Sequence, residues 1–235
     1  MLGPTVHHAV PVLEAWDETT AFRGIRLALP APLARAHAQP GQVVKIRTRA
    51  GEGFFALASA PDPAGIAELL VKRGGKVADA AIEDGAPGGA LELTEPFGNG
   101  FPVEAALGRD VLLFAAGSGV APIRAVIQHL VRARQRVNRL TLFYGQRHGA
   151  EFAYRGEHLA WERAGVRVVL CPSQADDAWE GVRGRVQEVA RTLAFGGSAP
   201  GETCAFVSGM AAMVEDVRRT LAEAGVPKER VYSNF

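Results

Sequence analysis

The stretch Val111-Leu112-Leu113-Phe114-Ala115-Ala116 runs without a break into Gly117-Ser118-Gly119-Val120-Ala121-Pro122, and Ile123 to Arg134 follows at helical spacing. Six continuous apolar residues are the pattern of a strand covered on both faces. The next three are small, and their backbone is free to turn sharply and to come close to a ligand. Pro122 suits a first helical turn, where its missing N–H would have no partner anyway. A strand, a glycine turn and a helix N-terminus in this order build an anion cradle, because the unpaired N–H groups of the first turn point at whatever the glycines admit. The same grammar also makes plain tight connections that bind nothing, so the flanking sequence must decide.

Downstream, the continuous apolar runs recur at Leu140–Tyr144, Val166–Leu170 and Cys204–Val207. Helical stripes lie between them. Ile123, Val126, Ile127, Leu130 and Val131 follow i, i+3, i+4, i+7, i+8. Met210, Met213, Val214, Val217 and Leu221 form another stripe, which stops at Gly225 with Pro227 beyond. Strands alternating with helices predict right-handed βαβ units and a parallel sheet, with any ligand at the carboxyl ends of the strands near the switch in strand order.

Upstream the pattern is different. His7–Trp16, Phe22–Leu29, Gln42–Thr48, Phe54–Ser59, Ile66–Lys72 and Ala90–Leu93 are short strands separated by turn formers such as Pro61-Asp62-Pro63 and Pro87-Gly88-Gly89. Only Val77–Asp84 reads as a helix in this half. Six short strands predict an antiparallel barrel or sandwich. The expected division is residues 1–103 for the β-domain and 104–235 for the α/β domain, with the boundary in Gly100–Gly108.

Bulk properties narrow the function. The chain has 235 residues, 48% apolar and 22% charged, with a formal net charge of +1. That balance gives no electrostatic footprint for nucleic acid or an anionic membrane surface. Two cysteines, Cys171 and Cys204, are too few for a disulfide framework, an iron–sulfur cluster or a structural zinc site. No leader pattern and no apolar run of membrane-spanning length is present, so the expectation is a cytoplasmic protein without membrane insertion. His7-His8, His129, His148 and His158 show no metal-ligand spacing and His7-His8 no carboxylate partner, so surface or capping roles are expected and no metal. Arg132, Arg134, Arg136 and Arg139 cluster at a helix C-terminus, where they complement its dipole.

Eight landmarks in order resemble the ferredoxin–NADP reductase-like superfamily. They are Pro40-Gly41-Gln42, Phe54-Phe55-Ala56-Leu57-Ala58-Ser59, Leu70-Val71-Lys72-Arg73, Glu95-Pro96-Phe97-Gly98-Asn99-Gly100, the glycine turn, Tyr144-Gly145-Gln146-Arg147, Trp179-Glu180-Gly181, and Ser208-Gly209 with Met213. The resemblance implies a six-stranded antiparallel flavin-binding barrel followed by a Rossmann-like nucleotide-binding domain. It implies FAD in the first, NADH or NADPH across the second, and hydride passing from nicotinamide to flavin. The acceptor beyond the flavin is unidentified, with a separate redox protein as the expected partner. Carried over by position, the flavin side comprises Phe54, Phe55, Ala56, Leu57, Leu70, Val71, Lys72, Gly75, Lys76, Val77 and Phe97. The nucleotide side comprises Gly117, Ser118, Gly119, Val120, Pro122, Arg147, Ser173, Gly209 and Met210. Phe55 is expected to stack on the isoalloxazine and Ser208 to border the nicotinamide. Phe235 stands either against the flavin's second face or packed elsewhere.

The sequence departs from the family where it meets the cofactors. The flavin motif, arginine–any–tyrosine–serine or threonine, reads Gly53-Phe54-Phe55-Ala56, and a hydroxyl expected after Gly74-Gly75 is Ala78. A lost charged phosphate contact costs about 1.5–3 kcal/mol and a neutral hydrogen bond about 0.5–1.5 kcal/mol. Together they weaken FAD by roughly two to four orders of magnitude. The backbone N–H groups from Val71 to Lys76 and the side chain of Lys72 or Arg73 are the candidates to compensate, a question for the structure. Ser173-Gln174 replaces a serine–arginine pair suited to a 2′-phosphate, which tilts the expectation toward NADH, while Arg147, Arg183 and Arg185 offer other guanidinium groups. Ser208-Gly209 replaces a cysteine–glycine pair, and a less polarizable serine is expected to slow hydride transfer. Two functions follow: a flavin-dependent NAD(P)H oxidoreductase, or a non-catalytic or regulatory module on the same fold that has lost tight FAD binding.

Overall fold

The computed structural model describes residues 5–132, 136–193 and 199–234. Its first half holds β1 (His8–Thr19), β2 (Phe22–Ala28), β3 (Val43–Thr48), β4 (Gly51–Ala56), β5 (Ile66–Lys72) and β6 (Ala90–Leu93). These form one antiparallel sheet in the order β4-β3-β6-β1-β2-β5. A bridge between Leu57 and Leu69 joins the two outer strands and closes the sheet into a barrel. Inward side chains such as Val10, Ile25, Leu27, Val44, Ile46, Leu69, Val71 and Leu93 fill its core. Helix α2 (Lys76–Asp84) lies against this barrel, with Ala81 in the core and Ala78 and Ile82 packed on it.

A six-residue helix, α1 (Ala31–Ala36), was not expected from the sequence. Pro30 and Pro32 obscure it in the sequence, because they read as a loop, yet at a helix start their missing N–H groups cost nothing. The Pro40-Gly41-Gln42 landmark is a scaffold. The Gln42 side-chain oxygen accepts from the N–H groups of Ala38 and Gln39 at 2.8 and 3.0 Å.

The second half is a parallel sheet in the order β11-β10-β7-β8-β9. Its strands are β7 (Asp110–Ala116), β8 (Leu140–Gln146), β9 (Val166–Pro172), β10 (Thr203–Ser208) and β11 (Val231–Ser233). The helices are α3 (Val120–Arg132), α4 (Arg155–Arg163), α5 (Val186–Leu193) and α6 (Ala211–Glu223). Alternate residues of β7 point to opposite layers. Val111, Leu113 and Ala115 join Ile123, Ile127 and Trp161, whereas Leu112 and Phe114 join Val186, Val189, Met213 and Val217. Both faces are thus covered, which is why the strands read as unbroken apolar runs. The first layer continues into the barrel through Phe22, Ala58, Leu70 and Phe101, so one core spans both halves.

Candidate functional site

From β7 the strand order runs through β8 to β9 on one side and jumps to β10 and β11 on the other. The crevice between the carboxyl ends of β7 and β10 is the position where such sheets bind ligands. A cleft of about 1320 Å³ opens there and extends to the barrel, lined from β4, β5 and α2 on one side and from Gly117–Gly119, Arg147, Ser173 and Ser208–Met210 on the other. That exceeds the roughly 300–1,000 Å³ that suffices for one small ligand.

On the sheet side the three turn residues have different tasks. Gly117 has φ +58°, and a β-carbon there would meet nothing within 4 Å, so this position faces the open cleft. Gly119 is the opposite case. A β-carbon on it would stand 2.6 Å from the Ser208 carbonyl carbon and 2.9 Å from the Gly209 nitrogen. Its small size lets the turn cross the end of β10; that close backbone approach, rather than room for a ligand, is what it provides. Ser208 is paired in register with Ala115, 5% exposed, and reaches the cleft. Cys204 lies at the other end of the same strand, opposite Val111.

Arg147 and Arg185 line the far end of the cleft beside Ser173 and Gln174. Arg183 does not. Its guanidinium donates to the carbonyls of Ala175, Asp177 and Trp179 at 3.4, 3.5 and 3.1 Å and ties down the loop before α5. Glu151, Cys171, Gln187 and Asp216 also line the cleft, and no motif in the sequence marked them. Burial pushes the Cys171 thiol up to about 12, and the same cause raises Cys204 to about 12.

On the barrel side Phe54, Phe55, Ala56, Leu70, Lys72, Gly75, Lys76 and Val77 line the cleft. Phe54 is 63% exposed and meets the ring of Phe97 edge-on at 6.1 Å. Phe55 turns the other way, with its ring against the barrel core. A β-carbon at Gly53 would stand 3.0 Å from Val77 Cγ1 and 3.1 Å from Phe55 Cε2. A longer side chain at position 53 would therefore leave the strand between two apolar groups that crowd its first carbon. Gly75 caps α2 without a side chain, and the Gly74 N–H donates to Asp79 Oδ1 at 2.9 Å. Arg73 is turned away, donating to Asp17 at 2.5 Å, whereas Lys72 and Lys76 stay at the cleft. The Asp17 carboxyl is held below the usual range by hydrogen bonds from Arg23 and Arg73.

Four of the expected site residues lie elsewhere. Leu57 and Val71 are fully buried in the barrel core, because inward side chains must fill it, and Val120 is fully buried beneath the first turn of α3. Phe97 stands outside the cleft lining beside Phe54. Met210, read as part of a core stripe, is 74% exposed at the start of α6, while Met213 is buried. Phe235 and Arg134 lie outside the described residues.

Two of the histidines have contacts within the fold. His7 does have a carboxylate neighbour, with Nε2 3.3 Å from Glu52 Oε1. The sequence hid this pair because positions 7 and 52 lie far apart in the chain. His148 Nδ1 lies 2.9 Å from the Gln174 carbonyl oxygen and caps the turn that follows it. Among the described residues no three metal-ligating side chains gather, and no helix is long and apolar enough to cross a membrane.

The residues present fit a flavin and a dinucleotide in outline. The cleft is roomy enough for more than one small ligand, the N-termini of α2, α3, α5 and α6 open onto it, and Gly117 leaves room where a backbone would meet a phosphate. At position 53 a side chain would require Val77 and Phe55 to give way by a few tenths of an ångström.

Comparison with known proteins agrees. A family model described as an oxidoreductase NAD-binding domain matches residues 113–219. Ferredoxin–NADP reductase B of Sorangium cellulosum is 31% identical over 194 residues, covering 76% of this chain and 75% of its own. The sulfhydrogenase 1 subunit gamma of Pyrococcus furiosus is 28% identical, covering 98% of this chain and 80% of its own. The ferredoxin NADP+ reductase of Neisseria gonorrhoeae, solved with bound FAD and NADP, superposes with a TM-score of 0.83 at 18% identity, over 99% of this chain and 100% of that one. Two halves, one shared cleft and these relatives lead to one conclusion: the chain belongs to the ferredoxin–NADP reductase-like superfamily of FAD- and NAD(P)-dependent oxidoreductases.

Proposed function

We propose that this chain takes electrons from NADPH or NADH and delivers them, through FAD, to a separate redox protein. The observation that carries the proposal is the single cleft, which joins the end of β4 and the start of α2 to the carboxyl ends of β7 and β10. When bound, FAD supplies the exchange between a two-electron hydride and single electrons. The chain supplies distance and angle. Gly117 and the first turn of α3 hold the nucleotide pyrophosphate, and Ser208 orients the nicotinamide from the end of β10. Lys72, Lys76 and the N-terminal N–H groups of α2 hold the flavin phosphates in place of an arginine, while Phe54, Phe55 and Ala56 border the ring.

The guanidinium groups of Arg147 and Arg185 beside Ser173 favour the 2′-phosphorylated nucleotide. This reverses the tilt toward NADH that Ser173-Gln174 gives when read alone. A redox protein as acceptor is in keeping with the relative from Pyrococcus furiosus, which is by name one subunit of a sulfhydrogenase.

A second reading, a nucleotide-responsive module without tight FAD, draws on the apolar packing of Phe55 and Val77 over Gly53. The visible absorption spectrum separates the two. A flavin band, present on purification or after adding FAD, that bleaches with NADPH under anaerobic conditions supports the reductase. No band and no FAD binding at high micromolar concentration supports the module.

A further inference from the structure

Arg124 lies two residues beyond Pro122 on α3, and its side chain is 8% exposed, although arginine is among the residues least often buried. Its partners come from both halves of the molecule. Nη1 donates to the Ala58 carbonyl at 2.8 Å and lies 2.7 Å from Glu68 Oε2; both residues belong to the barrel. Nε donates to Glu157 Oε1 at 2.8 Å, and Nη2 lies 2.7 Å from the same oxygen, on α4 of the α/β half. The Tyr154 ring sits 4.6 Å beneath the guanidinium. Tyr154 itself adopts a left-handed backbone conformation, φ +61°, which few bulky residues hold without support from their surroundings. Its N–H donates 2.5 Å to Glu18 Oε1, a further bond from one half to the other.

The barrel segment gripped here continues directly from β4. Ala56 borders the cleft, Ala58 is bonded to Arg124, and the Ala60 N–H donates to Gln128 Oε1 at 2.9 Å. Arg124 and Gln128 are four apart, so they share one face of α3. The N-terminus of that helix is the glycine turn at Gly117–Gly119. One helix thus carries the nucleotide turn at its tip and grips the flavin-side segment along its flank.

Two like charges flank the guanidinium, and Glu68 also accepts from Arg26 Nε at 3.0 Å. Removing one member of a buried ionic cluster leaves the others unpaired, so the geometry holds only while all are present. Burial disfavours the Arg124 charge, but the hydrogen bonds it donates to Glu157 and the nearby carboxylates outweigh it and raise its pKa.

We propose that Arg124 is a positioning residue: acting through Ala58 and Glu68 on one side and Glu157 on the other, it fixes the separation of the flavin and nucleotide halves of the cleft. Its catalytic consequence rests on the reductase reading; its geometric consequence does not. Spin labels on Arg35→Cys and Glu215→Cys, both exposed and one in each half, report that separation in the cofactor-free protein. Arg124→Met should broaden and shift the distance distribution, and Glu68→Gln should do so to a smaller degree with the fold retained. In FAD-loaded protein, Arg124→Met should slow hydride transfer on the order of a hundredfold, as a displacement of about 1 Å does, with KM for NADPH little changed. Arg124→Lys should recover part of the rate.

If wild-type protein is not reduced by NADPH, the reductase reading fails while the distance measurement still tests Arg124. If Arg124→Met does not fold, Glu68→Gln carries the test. Unchanged distance distributions in the folded variants would overturn the proposal. So would a rate loss that merely follows the fraction unfolded.

Discussion

Gly119 and the Ser208 carbonyl are in direct backbone contact, with no room for a β-carbon between them. The glycine turn and the end of β10, which in the proposed site meet the pyrophosphate and the nicotinamide, are therefore held against each other by backbone contact. Gly119→Val should act on folding before it acts on binding. Overpacking of this kind costs about 1–3 kcal/mol or more, or roughly 2–12 °C in Tm for a chain of this size. Differential scanning calorimetry checks this. A variant with wild-type Tm and weakened nucleotide binding would return Gly119 to a ligand role.

Position 53 calls for a coupled change. Gly53→Arg alone should not tighten FAD, because Val77 and the Phe55 ring occupy the path of the new side chain. Gly53→Arg together with Val77→Ala should improve affinity by about tenfold to a hundredfold, the range of one charged phosphate contact. Calorimetric titration with FAD distinguishes these outcomes. Equal gains in both variants would mean that the apolar packing yields freely.

Arg147→Ala and Arg185→Ala should each raise KM for NADPH by roughly tenfold or more and leave KM for NADH nearly unchanged, as expected for a lost charged hydrogen bond to phosphate. Steady-state kinetics with both nucleotides tests this. A parallel rise for NADH would place these arginines on a part common to both.

Acid should destabilise the fold through His37. The residue is 3% exposed, and burial holds its pKa down at about 4 against a usual 6.5. Between those values the unfolded chain binds a proton that the folded chain refuses, so stability falls as pH drops from about 7 to 4 and levels off below. The whole effect is about 3 kcal/mol. Burial lowers His129 and His158 in the same direction. Urea denaturation across this range should show the decline, and His37→Gln should flatten it. An unchanged slope in the variant would assign the decline to other groups.

The sequence made the architecture legible because each half follows one simple period. Residues of β1 and β2 alternate between core and solvent, and those of β7 and β10 are buried without interruption. The elements that escaped were short. Helix α1 is punctuated by prolines, and β11 has three residues, too few for any period. Within the site, chain-local features were readable, such as the glycine turn and Ser208. Features made by residues distant in sequence were not. The Val77–Gly53 packing, the His7–Glu52 contact and the Arg124–Ala58 bond join positions between 24 and 66 residues apart. The same limit separated Leu57, Val71 and Val120 from the cleft, since proximity along the chain to a binding residue does not tell which way a side chain points.

The two thiols lie on opposite layers of the parallel sheet, Cys171 with Phe143 and Val186, Cys204 with Val111 and Phe206. Each is fully buried, with a pKa near 12, and stays protonated at neutral pH. Peroxide and disulfide exchange act on thiolates, and neither sulfur offers one. Although Cys171 lines the cleft, both sulfurs are thereby kept in the form least open to oxidation or exchange, so redox chemistry in the cleft leaves the protein's own thiols out of the electron path.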